Sequence, residues 1–227
     1  MIIETIEALS LLKDHDIRVA RTKAVDSAED AIAFAERRDA PDPRLMPIVL
    51  RGATAPNAGG APEPAPKSLR TADAIRRAYG ELAAGLEPGT ILAQEATDPG
   101  TPIAIAGRTD PEKGKTLTLF SARHGVERMV PLDEAGATVL ASNFQAHGHH
   151  GTDERTRRML GHLLLRVSSF FEATPVSDLH LNVRLHENSY TVLDATMHSP
   201  KALHAKHRLD SRAHDRKGDD YHPAGRE

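Results

Sequence analysis

The sequence predicts a mixed α/β protein, long enough for one large domain or two small lobes, on three observations. The first fifty residues alternate apolar stripes at helical spacing with short extended runs. A stretch of Ala, Pro and Gly from Gly52 to Lys67 then breaks the pattern. Beyond residue 90 come short strand-like runs separated by turn residues, followed by two helices and a final pair of strands.

The elements follow in order. Ile2, Ile6, Leu9 and Leu12 recur at the spacing of one helix face. Asp14-His15-Asp16 ends that helix, and Ile17-Arg18-Val19 starts a short extended piece. Ser27, with Asp30 three residues on, predicts a capped helix running through Ala31, Phe34 and Ala35. The Asp39–Pro43 segment breaks it, and Met46 to Arg51 is a compact apolar run with the look of a buried strand. Pro56, Pro62, Pro64 and Pro66 exclude a helix or central strand from 52–67, which reads as a loop or linker. Leu69, Ala72, Ile75, Tyr79, Leu82 and Leu86 then form one amphipathic stripe, stopped by Pro88-Gly89.

From there the pattern turns to strands. Thr90–Gln94, Ile103–Gly107, Thr116–Phe120 and Val126–Val130 predict a four-stranded antiparallel meander. A helix follows from about Asp133 to Asn143. The strongest helix presents Leu160, Leu163, Leu164, Val167, Phe170 and Phe171 before Pro175 ends it. Leu179–Leu185 and Tyr190–Ala195 pair around the turn His186-Glu187-Asn188-Ser189. The expected division is a first lobe at 1–88, a second at 89–198, and a polar, charged tail at 199–227. The tail carries His204, His207, His214 and His222 and is expected to be disordered.

Composition removes several function classes. The chain has 227 residues, 39% hydrophobic and 27% charged, with net charge −3 and both signs interspersed, which argues against an electrostatic footprint for nucleic acid or anionic membrane. No apolar run approaches the roughly 18 residues of a membrane span. Cysteine is absent, so disulfides, thiolate metal sites and cysteine nucleophiles are excluded. Met1-Ile2-Ile3-Glu4 does not read as a signal peptide, and the expected compartment is the cytoplasm.

Local sequence adds a family. Leu11–Val19 resembles a helix ending before "GIPV", and Pro47-Ile48-Val49-Leu50-Arg51 resembles "PVVLK". Leu92-Ala93-Gln94-Glu95-Ala96 is similar to "vlVQeM", and Gly107–Gly114, with its Asp110-Pro111, to "G-x-x-x-D-P-x-F-G". Gly148-His149-His150-Gly151 stands where "G-y-R-G" is expected. Pro175 to Asn182 resembles "P-x-I-x-E-L-D-I-N", and Asp194 matches a closing "lDar". From about Ala8 to Met197 the chain therefore resembles the ATP-grasp β subunit or module of ADP-forming acyl-CoA synthetases. This resemblance implies an ATP-grasp fold, with two α/β lobes around a nucleotide cleft and an antiparallel meander in the second.

The resemblance also implies a site. Arg51 takes the position of the family's lysine, keeping the charge on a fork that suits phosphate. Gln94 and Glu95 are implied nucleotide contacts, and Asn182 and Asp178 implied Mg²⁺ ligands, with ATP and Mg²⁺ as cofactors. A separate CoA-binding α-type subunit is the implied partner in ATP-dependent ligation of a carboxylate to CoA. The residues also admit plainer readings: Arg51 as a strand-end arginine, and Asp178, His180, Asn182 and Arg184 as the wet face of a common strand.

Three departures favour an alternative. Pro102 stands where the family carries a Glu. The Ser121–Glu127 segment lacks the family's glycines. No histidine lies between His15 and His124, so the phosphate-relay histidine of the first-lobe loop is absent. The alternative is a catalytically degenerate ATP-grasp protein that binds nucleotide or scaffolds a partner. His147, His149 and His150 form the one local histidine cluster, read as an exposed loop ahead of a metal-binding module.

Overall fold

The structure, a computed structural model, describes residues 2–36, 45–52, 67–85, 90–121, 124–146, 154–186 and 189–199. The loop at 53–66, the histidines at 147–150 and the tail from 200 onward lie outside the described residues.

Among the described residues, nine strands form two antiparallel sheets. In chain order the elements are β1 (Ile2–Ile3), α1 (Thr5–Asp14), β2 (Thr22–Val25), α2 (Ala28–Ala35), β3 (Ile48–Gly52), α3 (Ala72–Gly85) and β4 (Ile91–Glu95). Then come β5 (Thr101–Asp110), β6 (Gly114–Ser121), β7 (His124–Met129), α4 (Glu134–Ala146), α5 (Glu154–Ala173), β8 (Asp178–Leu185) and β9 (Tyr190–His198). The larger sheet has the order β1-β9-β8-β5-β6-β7 and the smaller β2-β4-β3.

Each sheet buries one face under helices. Ile105, Leu117, Leu119, Leu179 and Leu181 of the larger sheet pack against Leu9 and Leu12 of α1, Leu140 of α4, and Leu163, Phe170 and Phe171 of α5. The smaller sheet buries Val25, Ile48, Leu50 and Ala93 against Ile32 and Phe34 of α2 and Ile75 of α3. Side-chain caps start three of the helices. Ser27 Oγ accepts from Asp30 N, Thr71 Oγ1 from Ala74 N and Asp133 Oδ1 from Gly136 N. Each such cap is worth about 1 kcal/mol.

Two expectations are corrected. Ile2 fits the helical spacing, yet it lies in β1, opposite His198, and α1 begins at Thr5. Ile3 is 1% exposed and belongs to the core, so the strand is held by burial and by its pairing to β9. The strand read as Thr90–Gln94 does not join the meander. As β4 it is the central strand of the smaller sheet, paired to β2 and β3, and its first four residues are buried. The meander is β5-β6-β7, turned at Asp110, whose Oδ1 accepts from the N–H of Glu112 and Lys113, and at Gly114, where φ is +82°. Helix α1 packs on the larger sheet.

On β5, β8 and β9 the side chains opposite the helices form a polar face. Arg108, Asp178 and His198 stand in one row across the strands. Ala106, His180 and Thr196 form the next row, and Ala104, Asn182 and Asp194 the third. Burial pushes the His180 imidazole below its ordinary pKa, nearby His198 pushes the same way, and Asp178 opposes them. The folded protein therefore favours neutral His180. Its contribution to stability is complete above the ordinary histidine range and is lost as pH falls through and below it. A urea midpoint measured from pH 7 to pH 5 is expected to fall less in His180→Gln than in the parent. Equal slopes would show that the imidazole is solvated in the folded state.

Lys115 closes the far end of α5. Its Nζ donates to the carbonyl oxygens of Phe171 and Thr174, the latter at 2.6 Å, and lies 4.8 Å from the centre of the Phe171 ring. A cation there satisfies the last carbonyls of the helix and complements its dipole. Lys115→Met is expected to cost about 1–2 kcal/mol in denaturant unfolding. A change within about 0.3 kcal/mol would show that water serves those carbonyls equally well.

Candidate functional site

A cavity of about 280 Å³ lies where the two sheets meet. Arg51 of β3 and Gln94 and Glu95 of β4 line it from the smaller sheet. Asn182 and Arg184 of β8 and Leu193 and Asp194 of β9 line it from the larger. Four of the five residues singled out in the sequence, Arg51, Gln94, Glu95 and Asn182, thus border one space.

Asp178 does not. It opens β8, beside His198 and Arg108, and its Oδ2 accepts from Ser177 Oγ at 2.9 Å. Four steps along the strand separate it from Asn182, about 13 Å. The carboxylate that stands with Asn182 is Asp194, its register partner on β9.

A β-bulge makes that pairing. Leu185 pairs with Tyr190 and Val183 with Val192, but Asn182 pairs with Asp194, leaving Leu193 as the extra residue. A bulge re-aims the groups around it. Here the carbonyl of Leu193 is released from the ladder and accepts two bonds from the smaller sheet, from Gln94 Nε2 at 2.6 Å and Arg51 Nη2 at 3.3 Å. Arg51 Nη2 also donates to Asp194 Oδ1 at 3.1 Å, with side-chain exposures of 20% and 10%. The same Oδ1 accepts from Thr5 Oγ1, at the first turn of α1, and from Ala195 N, both at 3.0 Å. The second N–H of Gln94 donates to Thr22 Oγ1 at 2.9 Å.

The two connections between the sheets run side by side next to this corner. Val19 bridges Val192, Ala20 N donates to Val192 O, and Glu95 N donates to Arg21 O. The second connection passes Gly100, where a Cβ would meet Leu185 O at 2.2 Å, so only glycine fits. Arg184 Nη1 donates to Gly100 O at 3.2 Å. A second, polar cavity of about 480 Å³ shares Glu95 to Pro99 with the first and is bordered also by Arg18, His186, Ser189 and Thr191.

Chemically, the first cavity offers two guanidinium groups, an amide from Gln94, and oxygen donors from Asn182, Glu95 and Asp194. That set is suited to an anion carried with a hard divalent cation. No histidine borders this cavity among the described residues, and no group of three His, Cys, Asp or Glu side chains able to hold a metal occurs among them. Pro102 forms part of its wall and has neither an N–H nor a side-chain ligand to offer. No helix among the described residues is long and apolar enough to cross a membrane.

Asp194 was visible in the sequence as a motif match but not as a site residue. Counting back from the turn puts Leu193 opposite Asn182. Only the bulge moves Asp194 into that place.

No family model and no curated protein matches the chain. Solved structures do. Acetyl-coenzyme A synthetase 1 (dinucleotide forming) of Ca. Korarchaeum cryptofilum, in complex with coenzyme A, Ca-AMPCP and HgCl⁺, is similar with a TM-score of 0.70 at 21% identity, over 88% of this chain and 93% of that one. The selenomethionine form of that enzyme, in complex with coenzyme A and Mg-AMPPCP, has a phosphohistidine segment pointing towards the nucleotide binding site. It gives 0.63 at 22% identity, over 87% and 92%. ATP citrate lyase from Methanothrix soehngenii, in complex with citrate and coenzyme A, gives 0.54 at 12% identity, over 96% of this chain and 52% of that one. The chain therefore shares the mixed α/β fold, with antiparallel sheets, of these synthetase and lyase structures.

Proposed function

We propose that this chain is an ATP-grasp-type subunit that binds ATP with Mg²⁺ between its two sheets, read as two lobes. It serves an acyl-CoA ligase whose CoA-binding α-type subunit is a separate partner. The observation that carries this reading is the convergence of Arg51, Gln94 and Glu95 from one sheet on Asn182 and Asp194 from the other. The likeness to a synthetase solved with coenzyme A and Mg-AMPPCP supports it.

In this reading Arg51 pairs with phosphate oxygens, which suit its fork. Gln94 and Glu95 border the nucleotide. Asn182 and Asp194 hold the metal, which asks for oxygen ligands and commonly takes one or two from protein with the rest from phosphate and water. Asp194 replaces Asp178 in that role on the grounds of position. When bound, Mg²⁺ would offset charge on the phosphates. The phosphate acceptor comes from the partner; the solved synthetase has a phosphohistidine segment that points towards its nucleotide binding site.

Pro102 favours a second reading, in which the chain is catalytically degenerate and acts as a nucleotide-binding or a scaffolding or regulatory partner. At this wall a proline supplies neither a metal ligand nor an N–H for a phosphate oxygen. Loss of a well-placed charge-stabilising group costs about 10²–10³ in rate.

Thermal unfolding with millimolar ATP and Mg²⁺ is expected to show a rise of several degrees, by mass action on the native state. ADP and acyl-CoA formation are expected to be undetectable for the chain alone and to appear when a CoA-binding subunit is added. A flat thermal curve contradicts nucleotide binding and leaves only a scaffold. A thermal shift without turnover in the presence of the partner selects the second.

A further inference from the structure

In the structure the cation meant for phosphate and the carboxylate meant for metal are bonded to each other. Arg51 Nη2 sits 3.1 Å from Asp194 Oδ1, and both side chains are largely withdrawn from solvent. We propose that this pair is a displaceable latch that makes the site accept a divalent cation and a nucleoside polyphosphate together rather than singly. The proposal rests on the nucleotide reading of the cavity and concerns how that cavity is filled.

Three observations argue for exchange. First, Oδ1 of Asp194 already accepts three bonds, from Arg51, Thr5 and Ala195, and no bond from a described residue reaches Oδ2. A divalent cation joining that carboxylate meets the Arg51 charge on the same group and has no anion to offer the displaced guanidinium. Second, a polyphosphate that draws Arg51 away leaves Asp194 withdrawn from water and unpaired, facing charge of its own sign. An uncompensated charge in such a place is strongly unfavourable. Each ligand alone therefore breaks one ion pair and makes half of another. Arriving together, they let Arg51 turn to phosphate and Asp194 to the metal, and every charge ends with a partner.

Third, the cavity is small. At about 280 Å³ it falls just below the roughly 300–1,000 Å³ of small-molecule sites, so a nucleotide needs the corner to loosen. Arg51 is the charged tie across it, and Gln94, bonded to Leu193 O at 2.6 Å, is the neutral one. Release of Arg51 widens the space while Gln94 keeps the sheets in register.

The test is calorimetric titration of the full chain with Mg²⁺ alone, with AMPPCP in EDTA, and with both. For the parent, Mg²⁺ alone is expected to give no heat at millimolar concentration, and AMPPCP is expected to bind at least tenfold more tightly with Mg²⁺ than without. Asp194→Asn removes the charge that needs the metal, so its AMPPCP affinity is expected to be the same, within about twofold, with and without Mg²⁺. Arg51→Met is expected to bind Mg²⁺ alone and to hold AMPPCP more weakly. Arg51→Lys, which keeps the charge, is expected to retain the Mg²⁺ requirement and guards against a folding defect in the methionine variant. The latch is overturned, with the nucleotide reading intact, if the parent binds AMPPCP equally with and without Mg²⁺, or if Asp194→Asn keeps the parent's dependence. The nucleotide reading falls, and the latch with it, if neither parent nor variants bind AMPPCP under any condition.

Discussion

One extra residue in β9 determines how the two sheets meet. Without the bulge, Leu193 would face Asn182 and its carbonyl would belong to the β8–β9 ladder. With it, that carbonyl turns to the smaller sheet and collects Gln94 and Arg51, while Asp194 moves opposite Asn182. A released backbone carbonyl away from water needs a donor. Arg51 and Gln94 supply two, and in doing so they tie β3 and β4 to β9. The candidate site is the same set of atoms as this junction.

The junction also explains why the corner is charged. An apolar contact between two sheets would be non-directional and indifferent to a ligand. Here the tie is an ion pair beside neutral hydrogen bonds, and a partly desolvated ion pair is easily exchanged for another of equal or better geometry. The helices reinforce the setting from behind. Thr5 at the start of α1 donates to the same carboxylate oxygen as Arg51, and Ile3, two residues earlier in β1, is anchored in the core. The N-terminal strand and helix are in this way part of the site's support, although their sequence reads as the opening of the other lobe.

Local signals were legible where local physics decides. Ser27 reads as a cap and is one, because its hydroxyl needs only a backbone N–H three residues away. The stripe from Leu160 to Phe171 reads as a buried helix face because no other period fits it. The alternation from Leu179 to Leu185 correctly places His180 and Asn182 together on the polar side of β8. What failed was non-local. Ile2 fits a helical period as well as a two-residue strand, and only its pairing with His198, far along the chain, chooses. The run Ile91 to Gln94 sits next to the meander in sequence, yet its four buried positions suit a central strand, and β2 and β3 provide the partners. Asp178 and Asn182 share a face by parity, but parity does not give distance. The bulge that sets Asp194 beside Asn182 has no composition signal in Val192-Leu193-Asp194.

If the corner is a true coupling between the sheets, its two charged partners must act as one unit in stability as well as in binding. A double-mutant cycle on unfolding free energy, with Arg51→Met, Asp194→Asn and both together, measures this directly. The structure predicts a coupling energy of about 1–2 kcal/mol, within the roughly 0.5–3 kcal/mol of residues in contact in one network. Additivity to within about 0.3 kcal/mol would mean that Arg51 and Asp194 do not hold each other in solution, and would contradict the account.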